Sequence, residues 1–286
     1  MSTFDAVLAQ YEKNKQSASG NNNKVSQEDR LKKYFVTLLP KGSTGEERRI
    51  RILPTKDGSS PFVEVKFHEI QVDGKWVKLY DPAQEGLRSP LNEVCEGLMM
   101  TGADSDKELA RQYRSRKFYI VKVIDRDHEQ DGPKFWRFKH NAKGDGVLDK
   151  IVPIWKNKGN ITDQLEGRDL ILSLALTKAG TGKEYTTINS IIPEDKGPLH
   201  TDESIAQKWI SDELTWSDVY SKKSEDYLEM VAKGETPKWD METKKWISNS
   251  TSDETIGSSK PTSPLLGTQP QEDPQENDVV DAELPF

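Results

Sequence analysis

Short strand-like segments, several of them alternating apolar and polar residues, predict a mainly β fold with helical insertions. Eight such segments lie between residues 34 and 192, and turns or one helical stretch separate them. This order favours an OB-type Greek-key barrel as the core, in residues 31–200. Residues 201–248 predict a helical C-terminal extension that packs on the core, and residues 249–286 predict a disordered acidic tail.

Each predicted strand is short and ends at a turn or at a change of periodicity. In the third strand, Val65 and Phe67 project to one face and Lys66 to the other. The pair Asp73-Gly74 predicts a hairpin turn into the fourth strand. The predicted strands are Tyr34–Leu39, Arg49–Leu53, Phe62–Ile70, Lys75–Leu79, Phe118–Ile124, Lys134–Lys139, Asp169–Leu176 and Tyr185–Ile192.

Helical periodicity occurs in two parts of the predicted core and extension. Leu91–Met99 and Asp106–Lys117 predict two helices between the fourth and fifth strands. Residues 201–247 predict mainly helical structure that carries many of the large aromatic side chains. These aromatic residues are Trp209, Trp216, Tyr220, Tyr227, Trp239 and Trp246.

The excess negative charge of the chain lies in its last 36 residues, Thr251–Phe286, which hold eight acids and one base. The whole chain has 41 basic and 48 acidic residues, a net charge of −7, so residues 1–250 are neutral overall. Proteins that hold nucleic acid often use such a tail to occupy a basic groove or to bind partner proteins. A merely solubilising tail is the alternative. The residues expected to contact partners are Asp278, Asp281, Glu283, Leu284, Pro285 and Phe286.

Several functional classes do not fit the sequence. A single cysteine, Cys95, excludes an intrachain disulfide framework and favours a reducing compartment. The N-terminal residues lack the pattern of a signal peptide, and every apolar run is shorter than a membrane span. Enzyme motifs such as a Walker loop or a nucleophile elbow are missing. We therefore expect a soluble cytoplasmic protein that is not an enzyme.

Two segments combine cationic and aromatic residues and contain no acid: residues 109–124 and Lys134–His140. At helical spacing, Arg111, Arg114 and Lys117 would share one face of the first segment. Cations neutralise phosphates, and aromatic rings stack on unpaired bases at about 1–3 kcal/mol per base. The segments therefore predict a site for single-stranded nucleic acid with little sequence preference, although burial of the rings in the core is the alternative.

The order and spacing of several motifs resemble one known family, the single-stranded DNA-binding (helix-destabilising) proteins of T-even-type phages. The resemblance covers roughly residues 31–195. The motifs that carry it are Arg49–Lys56, Ser60-Pro61-Phe62, His68, Gly74-Lys75-Trp76, the basic segment Arg111–Lys117, Trp136-Arg137-Phe138 and Tyr185.

The resemblance implies an OB-type core that binds single strands and an N-terminal basic arm, residues 1–30, that drives self-association along the DNA lattice. It also implies that the acidic tail contacts replication and recombination proteins. The final residues, Glu283-Leu284-Pro285-Phe286, are similar to the tip of bacterial single-strand binding proteins, which dock partners through a terminal Pro-Phe.

The family holds a structural zinc ion through one histidine and three cysteines, and this chain departs from that pattern. His68 matches the histidine, but the cysteine positions fall near Asp81 and at Ser89 and Asn92, while Cys95 stands alone. A closed zinc site needs four good ligands, so we expect no zinc and no other cofactor. Packing would then stabilise this region, around Leu79, Leu87, Leu91, Val94 and Leu98.

The predicted function is sequence-independent coating and protection of single-stranded DNA in phage DNA replication, recombination and repair, without ATP. An RNA-binding regulator and a non-catalytic interaction scaffold are the alternatives, because OB-type barrels bind either nucleic acid. The residues expected to contact DNA are Arg51, Tyr80, Arg111, Tyr113, Arg114, Arg116, Lys117, Trp136, Arg137, Lys139, Lys183 and Tyr185.

Overall fold

The computed structural model describes residues 32–178, 184–220 and 222–248. The predicted arm (residues 1–30), Lys183 and the predicted tail (residues 249–286) lie outside the described residues. The strands are β1 (Tyr34–Phe35), β2 (Gly45–Ile52), β3 (Val63–Val72), β4 (Lys75–Tyr80), β5 (Ser115–Asp125), β6 (Lys134–Lys139), β7 (Arg168–Lys178), β8 (Glu184–Lys196), β9 (Pro237–Asp240) and β10 (Lys245–Ser248). The helices are α1 (Pro90–Met100), α2 (Asp104–Tyr113), α3 (Val147–Lys158), α4 (Glu203–Ile210), α5 (Trp216–Val219) and α6 (Glu225–Ala232).

Eight strands form one mixed sheet, which confirms the mainly β fold with helical insertions. The strand order is β1-β6-β5-β2-β7-β8, and β3 pairs with both β4 and β5. The β1–β6 pair is parallel and the other pairs are antiparallel. The sheet is open, so closure into an OB-type barrel is not confirmed.

The long strand β5 organises the sheet because it pairs with three neighbours. Its first half pairs with β3, its last three residues pair with β2, and its other edge pairs with β6. The β3–β4 hairpin closes at Asp73 and Gly74, which both have positive φ, as a two-residue turn of the predicted type requires. This turn fixes the register that places Glu69 opposite Lys78.

The sheet has two distinct faces. Residues opposite one another in an antiparallel pair project to the same side, so the register separates Trp136 and Leu170 from Phe67 and Phe118. The first side, called the α3 face, carries the largest core cluster, to which α3 contributes Val147 and Ile151. The other side, called the outer face, carries a smaller aromatic cluster completed by residues 214–220.

The two strands of the hairpin, β3 and β4, pack against α1 and α6. The buried residues of this cluster are Ile70, Leu79, Leu91, Tyr227, Leu228 and Val231. The predicted core positions Leu79 and Leu91 are therefore confirmed. Leu87 is 60% exposed, so its predicted burial is wrong, because it lies in the loop between a short 3₁₀ turn (Pro82–Glu85) and α1. Val94 and Leu98 are only half-buried.

The C-terminal extension reaches the sheet through Tyr220. The backbone N–H of Tyr80 donates to the Tyr220 hydroxyl (3.0 Å), and this hydroxyl donates to the carbonyl of Lys78 (2.7 Å). Tyr220 thus satisfies backbone groups of β4, which pairs only with β3. Helices α4 to α6 fit the predicted helical character.

Residues 237–248 form the β9–β10 hairpin, so the prediction of helix there is wrong. The hairpin is stabilised by the cross-strand pair of Trp239 and Trp246, whose ring centroids lie 5.2 Å apart. Helical spacing of the aromatic residues did not distinguish this pair from one face of a helix.

Several other boundaries differ from the sequence prediction, and one helix was not predicted. α2 ends at Tyr113, because Arg114 is extended (ψ 129°) and β5 starts at Ser115, not inside a helix that continues to residue 117. The first predicted strand is reduced to Tyr34–Phe35. The helix α3 was not predicted, and it contains Pro153, a residue that disfavours the interior of a helix. Each helix among the described residues is too short or too polar to cross a lipid bilayer.

Candidate nucleic-acid interface

Four neighbouring strands bring four cationic side chains to the outer face, and three of them lie within 3.7 Å of one buried carboxylate. Glu69 of β3 lies opposite Lys78 of β4, and its carboxylate oxygens lie 3.7 Å from Lys78 Nζ and 3.6 Å from Arg116 Nη1. Lys139 Nζ donates to Glu69 Oε2 at 2.9 Å. Arg137, two residues before Lys139 on β6, shares this face. We call these five residues the Glu69 cluster.

The Glu69 cluster is strongly positive. Its four cations and one carboxylate give a net charge of 4 − 1 = +3. Burial disfavours the charged form of Glu69, which is 6% exposed, but Lys139, Lys78 and Arg116 outweigh this effect and lower its pKa. The carboxylate is therefore ionised at neutral pH, and the remaining positive field suits a phosphate.

Aromatic rings lie beside the Glu69 cluster. The Arg137 guanidinium lies over the Phe67 ring, 5.3 Å from its centroid, and Lys78 Nζ lies 5.9 Å from the centroid of Phe118. Trp216, at the start of α5, is half-buried and packs 6.2 Å from Phe67, centroid to centroid. Trp216 thus places an accessible indole next to the cations. The sequence analysis named Trp216 among the aromatic residues of the C-terminal extension, but it did not predict that this side chain faces β3.

Of the predicted DNA-contacting residues, Arg116, Arg137 and Lys139 come together in the Glu69 cluster. Arg116 and Lys139 remain partly exposed, whereas Arg137 is largely buried and mainly adds charge. Lys78 and Glu69 belong to the same site, but the sequence analysis missed both. The alternation of side chains along β3 and β4 could have predicted that Lys78 and Glu69 lie on the outer face. It could not have predicted that they lie beside residues of β6.

Besides Arg137, three of the predicted contacts are buried, and their side chains face the core or other protein groups. Trp136 is 0% exposed and lies in the core on the α3 face, because residues of β6 alternate between the two faces. Arg51 is 1% exposed and donates to Asp169 Oδ1 (3.2 Å) and to two backbone carbonyls, so it anchors the fold. Tyr80 is buried against Trp216, and its hydroxyl donates to Glu85 (2.7 Å).

The other predicted contacts lie away from the Glu69 cluster. Lys117 projects to the α3 face and pairs with Glu64, while Arg111 of α2 is exposed and pairs with Glu108. The predicted face shared by Arg111, Arg114 and Lys117 is therefore wrong, because the helix ends before Lys117. Arg114 is exposed at the end of α2, and Tyr113 is half-buried where β3 and β4 pack against α1 and α6. Tyr185 is half-buried on β8, which lies three strands away from β5 in the sheet.

A second aromatic surface, not predicted as a site, lies on the α3 face. Phe62 and Trp155 are half-buried with ring centroids 6.2 Å apart. Tyr119 contacts the exposed ring of His140, at 5.7 Å between centroids. The Pro-Phe pair and the alternation of β5 were visible in the sequence, but the position of α3 was not.

The four positions that the sequence resemblance aligned with zinc ligands converge in this structure. His68 Nε2 lies 3.5 Å from Asp81 Oδ1 and 3.4 Å from Ser89 Oγ, and Asn92 Nδ2 donates to both Asp81 oxygens (3.1 and 3.2 Å). His68 Nδ1 donates to the carbonyl of Tyr113 at 2.6 Å. We call His68, Asp81, Ser89 and Asn92 the polar network.

The polar network does not fit zinc. Its hydroxyl and amide are poor zinc ligands, and the Asn92 amide points its donor nitrogen at Asp81. Burial disfavours the charged form of Asp81, but hydrogen bonds from His68 and from the Ala83 backbone outweigh it and lower its pKa. Cys95 Sγ donates to the Ala110 carbonyl (3.3 Å), and burial raises its pKa. In the described residues, no group of three or more His, Cys, Asp or Glu side chains could hold a metal ion.

The comparisons with known proteins identify the family of the chain. A family model described as gp32 DNA binding protein like matches residues 44–234. A comparison with curated proteins found no match. The matched residues contain all strands from β2 to β8 and all six described helices, and so include the Glu69 cluster and the polar network. The match covers most of the chain, and the chain therefore belongs to the gp32-like DNA-binding family.

Proposed function

We propose that this protein binds single-stranded DNA without sequence preference and coats and protects it during phage DNA replication, recombination and repair. Membership of the gp32-like DNA-binding family supports DNA as the ligand. The observation that carries the proposal is the Glu69 cluster, in which cations from three strands create a net charge of +3 beside aromatic rings. Phosphates and bases of a single strand need both kinds of group at one place.

In this proposal, backbone phosphates contact Arg116 and Lys139, and Trp216 offers a ring on which a base can stack. Stacking is tolerant of sequence because every base has a flat π-face. The protein binds single strands in preference to duplex, so it lowers duplex stability by mass action. This action needs neither ATP hydrolysis nor any catalytic group, and the proposed protein is not an enzyme.

The finer assignments rest on the sequence and on the family. The core is an OB-type fold that remains partly open, since OB folds are commonly incompletely closed. Residues 1–30 promote self-association along DNA, residues 249–286 contact replication and recombination proteins, and the site of action is the host cell cytoplasm. The acidic tail also competes for the basic surface when DNA is absent.

The proposed protein folds without zinc. The polar network occupies the positions of the zinc ligands, and its hydrogen bonds connect β3, the 3₁₀ turn and the start of α1. These connections join the same segments that a metal ion would join. Apolar packing around Leu79 and Leu91 adds to them.

A fluorescence titration tests the function directly. Oligo(dT) added to the full chain should quench the emission of its seven tryptophans in a saturable way. The affinity should fall linearly on a log–log plot against salt concentration. Absence of saturable quenching up to high oligo(dT) concentration, confirmed by a gel-shift assay, would refute single-strand binding. Competition by poly(U) as effective as by poly(dT) would instead support the RNA-binding alternative.

A further inference from the structure

Glu69 is the one acid among the five residues of the Glu69 cluster, and its position is unusual for a DNA-binding surface. A carboxylate repels phosphates, so its presence inside the basic site needs a physical reason. It is nearly fully buried, and it lies 2.9 to 3.7 Å from cationic groups of three different strands, β4, β5 and β6. Glu69 therefore connects the cations to one another.

Without Glu69, Lys78, Arg116 and Lys139 would repel one another across neighbouring strands. Their long side chains would also lose an anionic partner that helps to order them, and ordering a long side chain costs conformational entropy. Glu69 accepts a direct hydrogen bond from Lys139 and lies opposite Lys78 in the β3–β4 pair. The ionised carboxylate thus holds three cations in one arrangement before any ligand arrives.

We propose that Glu69 is a positioning residue that holds Lys78, Arg116 and Lys139 as a preformed binding unit for a backbone phosphate of single-stranded DNA. This inference rests on the proposed function. Arg116 and Lys139 reach the surface, and Lys78 supports them from the neighbouring strand. Preorganisation strengthens binding because the ordering of the side chains is complete before the phosphate binds.

Substitution of Glu69 by glutamine separates positioning from simple charge. Glu69→Gln makes the protein more positive by one unit, so long-range electrostatics alone predicts tighter binding of oligo(dT). Positioning predicts the opposite: binding on the order of tenfold weaker, because the negative charge that orders the three cations is lost. The slope of log affinity against log salt should also become shallower, by about 0.7 for each phosphate that the variant no longer neutralises.

A matched control keeps the charge change but moves it away from the Glu69 cluster. Glu166→Gln removes an exposed carboxylate that pairs with Lys196 (2.7 Å), so the net charge changes by the same unit. This variant should bind oligo(dT) as tightly as the wild type or slightly more tightly, with an unchanged salt slope. Both variants are compared in the full chain, with thermal melting curves to verify that they are folded.

Tighter or unchanged binding by Glu69→Gln, while the wild type binds normally, would overturn the inference and leave single-strand binding intact. Failure of the wild type itself to bind oligo(dT) would instead refute the proposed function. If Glu69→Gln does not fold, Glu69→Asp tests the inference instead, because it keeps the negative charge but shortens the side chain by one methylene group. Weaker binding by Glu69→Asp supports positioning, and binding equal to the wild type overturns it.

Discussion

Removal of the Asp81 side chain should expose how much the polar network contributes to stability. Asp81 is 2% exposed and accepts hydrogen bonds from Asn92 and from the Ala83 backbone, and its carboxylate lies beside His68. In Asp81→Ala, the half-buried Asn92 amide loses its acceptor, and the buried His68 ring loses the carboxylate beside it. The exposed Ala83 N–H can turn to water instead.

The expected cost follows from these partners. A buried donor left without an acceptor costs about 1–3 kcal/mol, so we expect a loss of about 2 kcal/mol in the free energy of unfolding. A stability of about 5–15 kcal/mol is usual for a domain, so the loss should shift the unfolding curve clearly.

Urea unfolding followed by tryptophan fluorescence measures this loss. Asp202→Ala is the control, since Asp202 accepts from the Ser204 backbone at 2.8 Å in the same way but at an exposed helix start, where water can replace it. A cost for Asp81→Ala no larger than for Asp202→Ala would refute the reasoning. Likewise, a zinc chelator should leave the wild-type curve unchanged, and a lowered midpoint would show that a metal contributes to stability after all.

Three further predictions concern the charges. Arg116→Glu should weaken oligo(dT) binding and flatten the salt dependence of the affinity. The control Arg111→Glu, on the exposed side of α2, should change both quantities much less. Equal effects of the two variants would show that the Glu69 cluster is not the DNA-binding site. Deletion of residues 251–286 should tighten binding at low salt, and an unchanged affinity would contradict competition by the tail. The pKa of Glu69 is below its usual value of 4.5, so the unfolded chain binds the proton more readily and the contribution of Glu69 to stability is lost as the pH falls. Urea midpoints should therefore fall less between about pH 6 and pH 3 in Glu69→Gln than in the wild type.

Much of the sheet could be predicted because its signals are local. The β6 strand was predicted with its observed bounds, and Asp73-Gly74 has the positive φ values that its turn requires. The alternation of β6 also separated Arg137 from Trp136 correctly. It could not say which face would be buried, and Trp136 is buried in the core.

The end of α2 shows the limit of periodicity. Residues 111–117 have cations at helical spacing, yet β5 begins at Ser115 because its backbone pairs with His68 and its neighbours on β3. Pairing with a distant strand outweighed the weak helical preference of this segment. Arg116 and Lys117 consequently project to opposite faces, and only Arg116 joins the Glu69 cluster.

The sequence by itself determined the strand-rich core, the position of the hairpin turn, the separation of a neutral body from an acidic tail, and the absence of the cysteines needed for zinc. Only the tertiary structure decided which cations meet and which acid holds them. Glu69 and Lys139 are 70 residues apart in the chain and lie 2.9 Å apart in the fold. Periodicity describes each strand separately, whereas the register between strands depends on hydrogen bonds and packing with distant residues, and this register brings Glu69 into contact with Lys139.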